Sequence, residues 1–591
     1  METKDIKYTW DTSALYKNNE EWKADTQKIT EIANSIEKYH GKIYDSPENL
    51  LNVLKLQDEA GMLMERTYVY SSCKFHPDMS NGENKNLVET IQNVANSFSE
   101  KLAFLEPELM SETTQKFDEF SAALPELKVY KKYMDDLFVQ KPHILDEKSE
   151  ALLVRMGDLA GSFDKIYDDL TVNDTEYEEI DAPNGEKMVV NDANYGKAII
   201  DSDRNFRKSF FETLMATYGK HINTISSNYY SAVKGNVYLA KSRNYKSARE
   251  KALSTNFVPE KVYDNLISTV RKGVAPLQEY VDFRKEQLHI DDFHFYDFFV
   301  PVVEDIDKKY TYEEAAELTI EATKILGEDY TELVKRSFDE RWTDVYPGKN
   351  KRSGAYSTGA YGVHPYMLLN YNETLDNVFT LAHEMGHSMH TYFSSHAQPY
   401  RYADYSIFCA EVASTTNEML LYHYLLDHAK TVEEKKLLLS KHLDDIRSTF
   451  YRQTMFADFE YQTHSLVEKG EALLPDTLCE IHRKLNEDYY GKDFVADKYI
   501  SYEWARIPHF YTAFYVYQYA TGISAAIAIS RRILKEGKPA VDDYRKFLAS
   551  GSSNNPIELL KIAGVDMSTE KPINDTIEEF KETLKELKSL F

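Results

Sequence analysis

A mainly α fold with a small β element is what this chain predicts, on three observations. Apolar residues recur at three- and four-residue steps between charged ones through residues 19–40, 47–75, 83–104, 147–169 and 203–241. That spacing gives a helix one buried stripe. Stretches with the two-residue rhythm of a strand are few. The length, 591 residues, suffices for a large core and for two or more lobes.

Taken in order, the elements follow from local chemistry. Thr175 to Val190 reads as a hairpin with Asn184-Gly185 as its turn. It separates two long helical regions and predicts a boundary near 190–200, with a helical region over 1–195 that includes the hairpin and a second region over 196–591. Phe293 to Val302 is aromatic and β-prone until Pro301 limits it. Ser353 to Gly362 is rich in small residues, and His364 to Tyr371 after it predicts a short strand. Thr374 suits an N-cap and Asp376 the positive end of a helix dipole. In the helix they open, Val378, Leu381, Met385 and Met389 bury one side, while His383, Glu384, His387 and His390 fall largely on other faces. Gly386 costs a helix interior about 1 kcal/mol against alanine, so something is expected to approach the backbone there.

Residues 391–403 predict a connecting loop, and Asp404 to Leu421 a mostly apolar, buried helix. Pro508 suits the first turn of a helix, on which Tyr511, Tyr515 and Tyr519 would form one stripe. Ile523 to Ile529 is apolar but too short to span a bilayer and predicts a core helix. Ile577, Phe580, Leu584, Leu587 and Phe591 share the apolar side of a final amphipathic helix.

Composition narrows the function. A formal net charge of −27 repels nucleic-acid phosphates and anionic membrane surfaces, so neither is expected as a partner. Three widely spaced cysteines, Cys73, Cys409 and Cys479, offer no disulfide framework and suit a reducing cytoplasm. The start, Met1 to Lys7, has no apolar stretch of the kind a secretory signal needs. The 44 tyrosines pair an apolar body with a hydrogen-bonding tip, and several could line a peptide channel. Nothing in the sequence fixes the oligomeric state.

The chemistry concentrates in His383-Glu384-Met385-Gly386-His387. Two imidazoles four residues apart stand on one face of a helix and can converge on one metal ion. The pattern H-E-x-x-H is that of zinc peptidases, where the histidines ligate and the glutamate is the general base. A catalytic zinc takes a third protein ligand. Glu411, a carboxylate in an apolar stretch of the next helix, is the candidate, since an unpartnered charge there would be costly. Glu418, two turns on, can accept the outward N–H of a ligating histidine. Gly359, His364 and Tyr366, in the small-residue stretch and strand before the motif, are candidate substrate contacts, because a peptide can add as a strand beside such a site. A second donor for a developing oxyanion is sought in Arg506 to Tyr519, where a phenol or His509 could serve.

Taken together, His383 to His387, Glu411 within Ala410 to Thr415, and the His509/tyrosine segment resemble the thimet oligopeptidase family of zinc metallopeptidases, in its oligoendopeptidase F branch. Asn370-Tyr371, Thr380 to Glu384, Tyr405 to Phe408 and Arg452 to Phe456 add to the likeness, which covers most of residues 200–590. The resemblance implies a two-lobed, nearly all-helical zincin-type fold with a deep substrate channel, one Zn2+ per chain, and hydrolysis of internal bonds in short unstructured peptides. It implies His383, His387 and Glu411 as ligands and Glu384, His509 and Tyr515 as catalytic residues, with Tyr511 and Tyr519 contacting substrate. A peptidyl-dipeptidase-type exopeptidase and a non-catalytic helical peptide-binding protein are the alternatives.

Overall fold

Polar residues just ahead of apolar runs start the helices. Asn18, Ser46 and Asn81 accept hydrogen bonds from the first free amides of the helices Asn19–Glu37, Pro47–Phe75 and Gly82–Lys101. The computed structural model describes residues 5–146, 148–150, 152–153, 161–303 and 308–591. Helices make up 71% of the structure and the strands are few and short, so the fold is mainly α, as the periodicity predicts. Of the helix expected over 147–169, Ser162–Asp168 forms; positions 147, 151 and 154–160 lie outside the described residues.

The chain divides into two compact units, each assembled from three separated stretches. The first comprises Met1–Pro142, Lys308–Tyr424 and Ile529–Val565. The second comprises His143–Asp307, Leu425–Ala528 and Asp566–Phe591. The position near 195 where a division was expected lies inside the second unit, in the helix Asp192–Ile199.

In the first unit, Ile32, Ile36, Leu50, Leu54 and Phe117 join one apolar cluster, and Trp10, Trp22, Tyr70 and Tyr366 another. A small sheet has the order β3 (Thr343–Asp344), β5 (Tyr366–Leu368), β4 (Tyr356–Thr358), with β5 parallel to β3 and antiparallel to β4. Two helices follow. In α1 (Leu375–Ala397) Thr374 caps the Asn377 amide, and Val378, Leu381, Met385 and Met389 are buried. The helix runs well into the stretch expected as loop, and Tyr400–Ala403 adds a further helical turn. His390 lies on the buried side rather than apart from it, its ring stacked 3.6 Å from that of Tyr405. The helix α2 (Ile407–Asp427) is the apolar one expected downstream.

In the second unit β1 (Glu179–Asp181) and β2 (Lys187–Val189) form the predicted antiparallel hairpin. The Gly185 amide donates to the Ala182 carbonyl (2.8 Å), and Gly185 takes φ +83°, the left-handed value glycine tolerates. The β-prone run Phe293 to Val302 does not form a strand. Phe293 makes one isolated bridge to Phe494, and Phe295–Asp297 is a single 3-10 turn. The turn prevails because buried Asp297 accepts the His294 amide (3.0 Å) and pairs with Arg204 (2.8 Å) and Arg207 (3.1 Å). The helix α3 (Arg452–Glu468) crosses this unit's core. The helix α4 (Tyr517–Glu536), which belongs to this unit as far as Ala528 and to the first from Ile529, buries Ile523 to Ile529, as expected. In the last helix, Lys571–Ser589, Phe580, Leu584 and Leu587 are buried; Phe591 lies past its end, half exposed against Phe283. No described helix is long and apolar enough to cross a membrane.

Candidate active site

Helix periodicity brings His383 and His387 to one face of α1, with ring centroids 4.8 Å apart. Gly386 explains how α2 comes within reach. A Cβ at Gly386 would stand 2.5 Å from the Ser414 Cα and 2.7 Å from the Ala413 carbonyl oxygen, so the two helices cross backbone to backbone there. Asn417 braces the crossing, donating to the Ala382 carbonyl (3.2 Å) and accepting from Tyr330 (3.1 Å). The crossing sets Glu411 opposite the histidines. Its Oε2 lies 3.3 Å from His383 Nε2 and 3.6 Å from His387 Nε2.

One potential ligand atom from each of His383, His387 and Glu411 lies within 4.8 Å of the other two. Ligands about 2.0–2.1 Å from a tetrahedral zinc stand roughly 3.3–3.4 Å from one another, so these separations fit such an ion. The chemistry of the set, two imidazoles and one carboxylate, fits it as well. Glu418 Oε1 lies 2.6 Å from His383 Nδ1, which places a proton on Nδ1 and turns Nε2 towards Glu411. Burial works against charge at both groups, yet the imidazoles hold the Glu411 carboxyl well below the usual carboxylate range, and Glu418 and Glu411 hold His383 well above the usual imidazole value. Glu384 is 6% exposed, and burial pushes its pKa up against the pull of both histidines. Its Oε2 is buried with no hydrogen-bond partner in the protein. A carboxylate oxygen left in this state beside a ligand set is placed to take a proton.

The strand next to α1 is β4, and it differs from the one the sequence suggested. Ser357 Oγ lies 2.8 Å from Ser388 Oγ on α1. His364 to Tyr371 was expected to offer a free strand edge, but β5 is the central strand and is paired on both sides. The Met367 amide donates to the Trp342 carbonyl (2.9 Å), on the β3 side. In an antiparallel ladder, opposed residues exchange both hydrogen bonds or neither. Ser357, opposite Met367, therefore turns its N–H and C=O away from β5, to the open edge of β4. Tyr366 is no substrate contact: its side chain is 0% exposed in the apolar cluster and its hydroxyl donates to the Asp11 carbonyl (3.1 Å). His364 is partly buried, stacked on Trp342 at 4.6 Å with Nδ1 2.9 Å from the Pro365 carbonyl oxygen. Burial lowers its pKa. Gly359 is there for packing, since a Cβ would meet Thr391 Cγ2 at 2.8 Å.

In the second unit the tyrosine stripe is not helical throughout. Pro508–Tyr511 is a 3-10 turn, and α4 begins only at Tyr517. His509, Tyr515 and Tyr519 nevertheless gather, with ring centroids 6.2 Å (His509 to Tyr515), 6.1 Å (His509 to Tyr519) and 5.5 Å (Tyr515 to Tyr519) apart. His509 is exposed, and partial desolvation lowers its pKa. Tyr511 is separated from them: it packs 5.0 Å from Tyr167, and Asn228 donates to its hydroxyl (3.1 Å). Sequence reasoning missed Ser357, Asn417 and Glu460. For Glu460, whose carboxyl group accepts the Phe514 amide, the signal was available, a carboxylate between Phe459 and Tyr461.

The family model described as Peptidase family M3 matches residues 199–579, and one described as Oligopeptidase F matches 108–177. The chain is 40% identical to oligopeptidase PepF of Bacillus subtilis over 98% of its own length and 87% of that protein's. It is 36% identical to group B oligopeptidase PepB of Streptococcus agalactiae, over 99% and 97%. The crystal structure of oligoendopeptidase-F from Enterococcus faecium superposes with a TM-score of 0.76 at 32% identity, covering 97% of this chain and 99% of that one. With more than half its length matched by the family model and near full-length relatives at this level of identity, the chain belongs to peptidase family M3.

Proposed function

We propose that this peptidase is a zinc-dependent endopeptidase that cuts internal bonds of short unfolded peptides, with one zinc held by His383, His387 and Glu411. The observation that carries the reading is the convergence of those three side chains beside a buried Glu384 whose Oε2 has no partner. The names of the relatives, oligopeptidases and an oligoendopeptidase, support the choice of peptides as substrate.

A zinc held by His383, His387 and Glu411 would supply a Lewis acid and would lower the pKa of water towards ~7. The chain's own groups do the rest. Glu384 Oε2 takes a proton from the attacking water and returns it to the leaving amine. Glu418 holds the proton on His383 Nδ1 and keeps Nε2 free to ligate. The Ser357 main chain pairs with the substrate backbone, a mode of binding that reads no side chains and so predicts broad specificity. His509 and Tyr515 are proposed donors to the oxygen that becomes negative, an assignment that rests on the family pattern.

The test couples metal content to product analysis. Elemental analysis should find about one zinc per chain, removable by a chelator together with activity and restored by zinc alone. A peptide blocked at both ends should be cut internally. A protein without stoichiometric metal, or one that only releases dipeptides from free carboxyl termini, would contradict the proposal.

A further inference from the structure

Between the turn Pro508–Tyr511 and α4 the backbone takes an unfavourable path. Phe514 stands at φ +54°, the left-handed region that a bulky side chain rarely adopts. Its neighbour in sequence is Tyr515. Such a conformation persists only where the surroundings over-determine it.

Those surroundings centre on Glu460, in the middle of α3 and 1% exposed. Its Oε1 accepts the main-chain N–H of Phe514 at 2.5 Å, and its Oε2 has no partner in the protein. The Phe514 ring is buried, 4.6 Å from the ring of His464 and 5.7 Å from that of Tyr263. His464 is tied to the same helix, with Nδ1 2.9 Å from the Glu460 carbonyl oxygen. A carboxyl group in an apolar helix face is costly unless it has a specific partner, and this one is spent on an amide of a strained loop.

We propose that Glu460 is a positioning residue: by gripping the Phe514 amide it fixes the backbone of 512–516 and so aims Tyr515, with His509 stacked against it, at the substrate. The inference rests on the reading that His509 and Tyr515 meet the substrate. It adds that their placement is imposed by a hydrogen-bond acceptor on a different helix, and that the grip depends on the acceptor's reach rather than on its charge.

Two variants separate reach from charge. Glu460→Gln keeps an acceptor oxygen at the same reach without the charge. Glu460→Asp keeps the carboxyl group and withdraws it by one carbon–carbon bond, about 1.5 Å. With an internally quenched peptide, Glu460→Gln should stay within about threefold of the parent kcat, whereas Glu460→Asp should lose roughly 10- to 100-fold, mostly in kcat rather than KM, with zinc content unchanged. Should Glu460→Asp lack a cooperative melt, Glu460→Met, of similar volume but without a strong acceptor, replaces it with the same expectation. Tyr515→Phe and His509→Ala serve as references. If they lose turnover while Glu460→Asp matches the parent, or if Glu460→Gln falls as far as Glu460→Asp, the inference is overturned alone. If all four turn over normally, the reading beneath it falls as well.

Discussion

In the helix pair α1 and α2, every proposed metal ligand sits on regular backbone, and the geometry comes from where the two helices touch. In Pro508 to Tyr519, the proposed aromatic donors sit on a broken backbone, and a buried side chain props it. The first arrangement is rigid because moving one ligand means moving a helix. The second depends on a hydrogen bond to a side chain from another helix, which together with the buried Phe514 ring holds a left-handed backbone. A metal site gains from the first, since ligand positions must be right to a few tenths of an ångström. Donors that meet a charge developing on the substrate can be carried on the second.

The comparison is tested most severely at Glu384, where helix geometry is complete and only chemistry changes. Glu384→Gln should retain its zinc and lose about 10²- to 10⁴-fold in kcat, measured by steady-state hydrolysis beside elemental analysis. Near-parental turnover in that variant would remove Glu384 from its role. Gly386→Ala breaks the geometry instead. Helix propensity alone predicts a gain of about 1 kcal/mol. The added Cβ would meet main-chain atoms of Ser414 and Ala413 within 2.7 Å, and backbone cannot rotate away. Overpacking of this kind costs about 1–3 kcal/mol or more, so the net effect should be destabilising. The variant should melt earlier and bind zinc more weakly, because separating the helices withdraws Glu411. An unchanged melt with full zinc occupancy would show that the crossing tolerates movement.

The same contrast accounts for what could be read from the sequence. His383, His387, Glu411 and Glu418 were legible because helical spacing converts sequence distance into a face, and Gly386 announced a close contact by its cost. The tyrosine stripe failed because Pro508–Tyr511 is only a 3-10 turn and the regular helix it requires begins at Tyr517, and no local signal marks the left-handed turn at Phe514. Tyr366 and the strand edge failed for another reason. Whether a strand is central depends on partners distant in sequence, and β3 at Thr343–Asp344 is only two residues long. The two compact units were hidden in the same way, because each is gathered from three stretches that no single cut through the chain separates.

A smaller effect probes how much orientation the ligands need beyond the crossing itself. Glu418→Ala removes the acceptor from His383 Nδ1 and leaves both helices in place. Loss of such a partner lowers metal affinity by about 10- to 100-fold. A chelator-competition titration should read that loss, with a melt of the metal-free protein close to the parent's. Parental affinity would mean that helix packing alone orients His383.

The smallest effect lies in the pH dependence of stability at Glu460. Burial pushes its carboxyl pKa from 4.5 up to about 8, against the weaker pull of the Phe514 amide. The titratable groups facing it offer no cation to offset this: Tyr229 and Tyr263 are held neutral by burial, and His464, lowered to about 4, is neutral over the same range. The folded protein therefore holds a proton there that the unfolded chain releases. Stability from this group is complete below pH ~4.5, declines as pH rises through the interval, and is lost once pH passes about 8. Glu460→Gln mimics the protonated acid and cannot titrate. Its melting temperature should match the parent's near pH 5 and exceed it by about 2–4 °C at pH 9. A constant difference across that range would mean that Glu460 titrates normally, and that its grip on Phe514 is the grip of a charged carboxylate.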